Sequence, residues 1–241
     1  MKLLLSLIGL SLIITSYGQE EHSGKPCVAS AELRSLLKKS LIPELYVFGG
    51  YEDSFSSSLL KPGTANKATL ADYKKMDDEE KTKYEKWSCQ YGARNVSDGN
   101  PKTAWVEGVA GPGTGEVLLI TEQLNPSKKV EIWNGYGANE SLFQVNNRVK
   151  TIGVHIVKAM PDIAGQFGTV YRNLTVVASG TVTLKDVNGF QLLPLPSFKR
   201  DTFHRDDNDW DYAYWLLLEI VDVYPGTKYQ DTCISEIRNA H

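Results

Sequence analysis

A polar loop at residues 91–105, with the sequence YGARNVSDGNPKTAW, holds the side chains whose types and spacing best suit chemistry. Asp98, Asn100 and Thr103 place three oxygen-bearing side chains within one short turn. Calcium takes about six to eight oxygen ligands, including backbone carbonyls, so a loop of this kind can fold around it. The alternative is an ordinary Asx turn, in which Asp and Asn side chains accept hydrogen bonds from nearby backbone N–H groups. Spacing alone favours the ordinary turn.

Two other stretches have the composition of a sugar-binding surface: residues 133–136 with 146–148, and residues 224–231. In such sites an aromatic ring stacks on the apolar face of the sugar, while amide, guanidinium and carboxylate groups fix its hydroxyls. Aromatic residues at strand ends often belong to the core instead, but Tyr136 and Tyr229 are flanked by glycine and polar residues and are expected to be exposed. The predicted glycan-binding residues are Tyr136, Asn146, Arg148, Tyr229 and Asp231.

The sequence contains no convincing catalytic constellation. A Gly-x-Ser-x-Gly elbow is absent, and no cysteine occurs in a nucleophile signature. Of the four histidines, His22 and His241 lie near the ends of the mature chain, His155 alternates within a strand, and His204 belongs to an acidic loop. A spatial pair of carboxylates for glycoside hydrolysis is the alternative left open, because sequence does not reveal such pairing. We predict a binding protein that is not an enzyme.

Residues 1–18 are typical of a secretory signal peptide, since Lys2 precedes a short apolar run and small residues follow it. The run is too short to span a bilayer, and no second long apolar stretch follows. We expect cleavage near Gly18/Gln19 and a secreted or periplasmic protein without a membrane span. The formal net charge is −3 and becomes one unit more negative when Lys2 is lost. Without a basic stripe to neutralise phosphates, a nucleic-acid partner is not expected.

Three cysteines, Cys27, Cys89 and Cys233, remain in the mature chain. Their spacing fits no zinc site, since the sequence has no Cys-x-x-Cys pair. An odd number of cysteines in an exported protein indicates one disulfide and one leftover thiol. The residues alone do not say which two of them pair.

The elements that position these residues fall into two regions. Residues 19–86 are predicted to be a partly helical extension, with apolar residues at helical spacing over 31–41 and a capping box, Thr69-Leu70-Ala71-Asp72, that opens a charged helix. From Trp105 onward the apolar pattern has a period of two, in short segments separated by Gly, Asn, Asp and Pro. The segments are 116–120, 129–133, 149–157, 173–177, 181–184, 191–195 and 214–220. This pattern predicts an all-β sandwich or jelly roll.

Several ordered motifs resemble the discoidin, or factor V/VIII type C, superfamily, and more narrowly its NADase-type glycan-binding or NAD glycohydrolase translocation group. The motifs are YGARNVSDGNPKTAWVEG at 91–108, GTGE at 113–116, NGY at 134–136, NNRVK at 146–150 and VDVYPGTKYQDTCISEI at 221–237. The resemblance runs from about Trp87 to the end. It implies a galactose-binding-like jelly-roll domain over residues 87–241, after the signal peptide and the 19–86 extension.

The resemblance also implies specific site residues. It implies a structural calcium ion held by Asp98, Asn100, Thr103 and Glu236 together with backbone carbonyls. Because the two ends of the jelly roll lie side by side, it implies a Cys89–Cys233 disulfide that leaves Cys27 free or paired with another molecule. The function it implies is a secreted, non-catalytic module that binds cell-surface carbohydrate. The alternative is a protein-interaction or adhesion module of the cell envelope that uses the same loops.

Overall fold

The computed structural model describes residues 26–38, 40–48, 54–63, 68–122, 125, 128–166 and 168–240. The expected signal peptide, its cleavage point at Gly18/Gln19, and the histidines His22 and His241 lie outside the described residues. Within the described ranges, no helix is long and apolar enough to cross a membrane.

The chain is mostly β, which confirms the predicted fold class. Its strands are β1 (Ile42–Phe48), β2 (Ser54–Ser56), β3 (Trp105–Val106), β4 (Val117–Ile120), β5 (Val130–Asn134), β6 (Asn147–Gly165), β7 (Gly168–Thr183), β8 (Phe190–Leu193), β9 (Thr202–Arg205), β10 (Asn208–Asp211), β11 (Ala213–Tyr224) and β12 (Thr232–Asn239). Its helices are α1 (Leu70–Tyr73), α2 (Asp78–Ser88), α3 (Glu140–Val145) and the 3-10 helices Ala31–Lys38 and Ala93–Val96.

The strands form a large jelly-roll sheet and a separate hairpin. Along the large sheet the neighbouring strands are β2–β4–β11–β6–β12–β5–β8, while β7 pairs with β6, β1 with β7 and β3 with β12. The strands β6 and β12 run parallel where Asn147 faces Thr232 and Arg148 faces Cys233. The separate hairpin consists of β9 and β10. The sheet therefore brings the beginning of β6 and the beginning of β12 to the same end of the sandwich.

The main core lies between the layers of the jelly roll. Its fully buried members include Trp105, Leu118, Ile132, Val154, Leu216 and Ile234. Trp105 closes the polar loop, and its indole N–H donates to the Ser58 carbonyl oxygen at 3.0 Å. The loop is thus anchored at its C-terminal end by a buried aromatic residue, as its sequence suggests.

A second core covers the other face of the same sheet. In β11, Tyr214, Leu216 and Leu218 enter the main core, whereas the intervening Trp215 and Leu217 enter the second core. The N-terminal extension supplies the cover through the buried Leu33, Leu36 and Ile42. A sheet buried on both faces explains why β11 reads as a continuous apolar run rather than an alternating one.

The charged stretch of the extension, predicted to be one helix, contains two capped helices. The Thr69–Asp72 capping box is present, but α1 ends at Tyr73. A second capping box follows, in which the Asp77 carboxylate accepts from the Glu80 N–H at 2.9 Å and starts α2. Capping side chains satisfy the first N–H groups of a helix, so a second strong cap divides the charged stretch in two.

The cysteine pairing differs from the expectation. Cys27 and Cys89 form the disulfide, with an S–S distance of 2.07 Å and Cα atoms 4.9 Å apart. Cys233 is a free, fully buried thiol within β12. The expected Cys89–Cys233 bridge and free Cys27 are therefore wrong, because the extension folds back and places Cys27 beside the end of α2. This disulfide is typical of proteins that fold outside the reducing cytosol.

Candidate functional site

The loop around Asp98 closes on its own carboxylate. One Asp98 carboxylate oxygen accepts from the Asn100 N–H at 2.9 Å, and the other accepts from the Thr103 hydroxyl at 2.7 Å. The Thr103 hydroxyl also lies 2.7 Å from the Asn100 carbonyl oxygen. Gly99 sits in the left-handed region at φ 72°, which the tight turn requires. The three predicted ligands of this loop are therefore brought together.

The fourth predicted ligand, Glu236, lies on β12 opposite Trp133 of β5. These two residues are directly opposite in the β12–β5 pair, and Glu236 is 3% exposed. A side chain at Gly137 would come within 2.5 Å of the Trp133 indole nitrogen and 2.6 Å of the Pro101 carbonyl oxygen. Glycine at this position lets β5 and the loop pack together.

The residue types of this set fit calcium. The set offers the carboxylates of Asp98 and Glu236 and the oxygens of Asn100 and Thr103, and hard oxygen donors are the ligands that calcium prefers. Across the described part of the chain, no group of three or more His, Cys, Asp or Glu side chains could hold a metal ion. Any cation here would therefore depend on backbone carbonyls as well as on these side chains.

Tyr91 and Tyr136 form a half-buried aromatic surface. Both pack against the buried cluster of Ala104, Val106 and Cys233. Burial raises the pKa of Tyr136, and the neighbouring Tyr91 and Cys233 raise it further. Burial is also the main cause that raises the pKa of the Cys233 thiol, and the charge of Asp231 raises it further.

These neighbours define a small mixed surface. Tyr91, Tyr136 and Asp231 border the buried Cys233, and the Gln90 side-chain amide donates to the Tyr91 hydroxyl at 3.0 Å. We call Gln90, Tyr91, Tyr136 and Asp231 the tyrosine patch. It combines aromatic faces with an amide and a carboxylate, which are the groups that bind sugar rings and hydroxyls.

Tyr229 lies on the loop that leads into β12, and 43% of it is exposed. The Lys228 ammonium lies 4.8 Å from the centre of its ring. The loop is held by backbone bonds, including Tyr229 N–H to the Val145 carbonyl oxygen at 2.8 Å and Asn147 N–H to the Asp231 carbonyl oxygen at 3.1 Å. The Tyr229 ring is therefore exposed, as its flanking residues predict. The backbone that carries it is held by these hydrogen bonds.

Arg148 and Asn146, which the sequence predicts to bind glycan, are buried rather than exposed. Arg148 is 4% exposed, and its guanidinium donates to both Asp186 carboxylate oxygens and to the Asn146 and Pro225 carbonyl oxygens. Asn146 is 8% exposed, and its amide donates to the Leu142 carbonyl oxygen at 2.9 Å. Both side chains hold loops in place in this structure.

Glu107 is a buried acid beside the tyrosine patch. It is 0% exposed, and its carboxylate accepts from the Val109 N–H at 2.8 Å and the Thr232 N–H at 3.3 Å. Burial raises its pKa to about 7, an effect that these two hydrogen bonds oppose and that the carboxylates of Asp231 and Glu116 increase.

Sequence reasoning did not single out Tyr91 or Glu107. Tyr91 opens the polar loop, but nothing in its neighbours shows that it will meet Tyr136. Glu107 follows the apolar Trp105-Val106 pair, which is the available signal that its side chain is buried.

Two solved structures show a low similarity to this chain. Arabinofuranosyltransferase AftD from Mycobacteria is 10% identical, with a TM-score of 0.39, over 80% of this chain and 11% of its own. A Ruminococcus gnavus GH29 fucosidase, solved in complex with fucose, is 12% identical, with a TM-score of 0.37, over 79% of this chain and 25% of its own. The chain spans a minor part of each protein, and similarity at this level does not bear on function. Comparison with curated proteins found no match.

A family model does match. The model described as NAD glycohydrolase translocation F5/8 type C domain covers residues 71–239. This range includes the Asp98 loop, the tyrosine patch and the whole sandwich from β3 to β12, whereas β1 and β2 precede it. The chain therefore belongs to the NAD glycohydrolase translocation F5/8 type C domain family.

Proposed function

We propose that this protein is an exported, non-catalytic carbohydrate-binding module. The observation that carries the proposal is the tyrosine patch, in which two half-buried aromatic rings and a carboxylate border the buried Cys233. Family membership supports a binding or translocation role rather than a catalytic one. The Cys27–Cys89 disulfide supports an extracytoplasmic location.

The proposal divides the predicted residues by their burial. Tyr136, Tyr229 and Asp231 contact the sugar, together with Tyr91. Arg148 and Asn146 position the loops that carry them. A sugar ring stacking on a tyrosine gains apolar burial, and Asp231 accepts hydrogen bonds from its hydroxyls.

A row of three side chains resembles a hydrolytic triad but does not support catalysis. His155 Nδ1 lies 2.9 Å from the Ser179 hydroxyl, and His155 Nε2 lies 3.4 Å from the Glu219 carboxylate. The three residues sit side by side on the adjacent strands β7, β6 and β11. A hydrolytic triad also needs N–H donors aimed at the developing oxyanion, and the proposal assigns this row a structural role on the sheet.

We further propose that calcium binds at the Asp98 loop. When bound, the ion would supply a fixed positive charge that holds this loop against Glu236. Asn100 contributes a neutral ligand, so the site carries two negative charges and binds calcium weakly.

The experiment that tests the proposed function is a glycan-array screen of the mature protein with calcium and with a chelator. Selective binding to one class of sugar supports the module, and loss of binding with chelator links it to the calcium site. Folded protein that binds no sugar on the array contradicts it.

A further inference from the structure

The strands β6 and β7 form a long antiparallel hairpin of 19 and 16 residues. The hairpin's outer end, residues 159–165 and 168–174, pairs with β1 on one side. We call this three-stranded unit the arm. Among the described residues, β1 pairs with β7.

The two faces of the arm differ. On the inner face, Leu45 and Tyr171 pack on the second core, with the Tyr171 ring 4.6 Å from the Trp215 ring. Since side chains alternate along a strand, Glu44 and Tyr46 project from the outer face.

An apolar row crosses this outer face. Tyr46 faces Val170 in the β1–β7 register, and Val170 faces Ile163 in the β7–β6 register. Tyr46 is 42% exposed and Ile163 is 57% exposed. Exposed apolar side chains grouped in this way mark interaction surfaces more often than isolated ones do.

A row of ion pairs runs beside the apolar row. Arg172 contacts both Glu44 and Asp162, and Arg205 contacts Asp162 at 3.1 Å. Two acids and two bases make this row neutral. Through Arg205, which also donates to the Asp162 carbonyl oxygen at 3.0 Å, the row connects the arm to the β9–β10 hairpin.

The β9–β10 hairpin makes this side of the arm acidic. Its exposed acids are Asp206, Asp207, Asp209 and Asp211. Trp210 stands among them, is 49% exposed, and donates its indole N–H to the Arg205 carbonyl oxygen at 3.2 Å. The surface therefore combines an apolar row and an acidic rim with an exposed aromatic.

We propose that the outer face of the arm binds an extended, positively charged protein segment that crosses β1, β7 and β6. Apolar side chains of the segment would lie on the Tyr46–Val170–Ile163 row, and its lysines or arginines would face the hairpin aspartates. Charge complementarity selects this occupant. A second copy of the chain would bring an identical acidic hairpin, and an anionic lipid surface would be repelled.

The test uses two ten-residue peptides, one alternating Lys and Val and the other alternating Glu and Val, each titrated into the mature protein. The Lys/Val peptide should bind at least about tenfold more tightly, and the binding should weaken as salt screens the charges. The variant Asp209→Lys/Asp211→Lys should reduce this binding about tenfold. Its control is Asp78→Lys/Glu79→Lys, an identical charge change on the acidic start of α2, which should leave binding unchanged.

The apolar row has its own pair of variants. Ile163→Ser should weaken the Lys/Val peptide about fivefold, whereas Leu192→Ser, an equally exposed leucine on β8, should not. Equal binding of both peptides, or equal losses in both charge-reversal variants, overturns the proposal. Sedimentation of the wild-type protein tests whether a second copy of the chain binds the apolar row instead. A dimer that Ile163→Ser dissociates would assign the row to that second copy and would also overturn the proposal.

Discussion

Arg148 and Asp186 form a two-point ion pair, with Arg148 Nε 3.0 Å from one carboxylate oxygen and Nη2 2.7 Å from the other. The same guanidinium donates to the Pro225 carbonyl oxygen at 3.1 Å. One buried cation thereby ties the turn before β8 and the loop that carries Tyr229 to the start of β6.

Asp186→Asn should destabilise the protein by about 2–3 kcal/mol, because it leaves a buried guanidinium without its counter-charge. Urea unfolding measures this loss. The control is Glu79→Gln, which removes a solvent-exposed pair with Lys83 and should cost no more than about 0.5 kcal/mol. Equal losses in the two variants would show that Arg148 does not depend on Asp186.

The Cys27–Cys89 disulfide should contribute about 4 kcal/mol, since it closes a loop with a sequence separation of 62. The double variant Cys27→Ala/Cys89→Ala should lose this amount in denaturant unfolding. Dithiothreitol should destabilise the wild type but not the variant. A wild-type protein that is insensitive to reductant would contradict the pairing.

Thiol labelling distinguishes the two pairings directly. Native protein should label slowly, because Cys233 is buried and its thiol pKa is raised by that burial. Unfolding without reductant should expose one thiol, and peptide mapping should place it at Cys233. Rapid native labelling at Cys27 would restore the Cys89–Cys233 alternative.

Glu107 predicts an unusual dependence of stability on pH. The folded state binds the Glu107 proton up to about pH 7, whereas an unfolded chain releases it near its ordinary pKa of 4.5. The folded state therefore holds more protons across this window, and stability falls as pH rises through it, by up to about 3 kcal/mol.

Glu107→Gln should remove this decline, because the amide does not ionise. The unfolding free energy should be measured from pH 4.5 to 8 for both proteins. It should fall with pH more steeply in the wild type than in the variant. The exposed Glu32→Gln should follow the wild type throughout. Parallel profiles for wild type and Glu107→Gln would refute the ionisation of a buried Glu107.

Calcium at millimolar concentration should raise the melting temperature, because a ligand that binds the folded state alone stabilises it. Asp98→Asn should abolish the shift, whereas Asp209→Asn in the β9–β10 hairpin should preserve it. Differential scanning fluorimetry measures both. A shift that persists in Asp98→Asn would place the ion elsewhere.

The sequence-based predictions succeeded where local pattern determines structure. The segments with an apolar period of two form strands. The Asp98 loop is closed by hydrogen bonds that involve the oxygens of the residues named from the sequence. Failures arose where distant parts of the chain meet. Cys27 reaches Cys89 because the extension packs on the second core, and the continuous apolar run of β11 was the signal that both faces are covered. The sequence predicts that Arg148 binds sugar, but the side chain is buried. This burial depends on Asp186, which lies 38 residues away and cannot be recognised as its partner from local sequence.

The central claim is that the tyrosine patch, together with Tyr229, binds sugar. The most direct measurement is calorimetric titration of the best array ligand into the wild type, Asp231→Asn, Tyr229→Ala and the control Tyr46→Ala, an equally exposed tyrosine on β1. We predict that Asp231→Asn and Tyr229→Ala weaken binding about tenfold or more at an unchanged melting temperature, while Tyr46→Ala binds as the wild type does. Undiminished binding by both Asp231→Asn and Tyr229→Ala would contradict the claim.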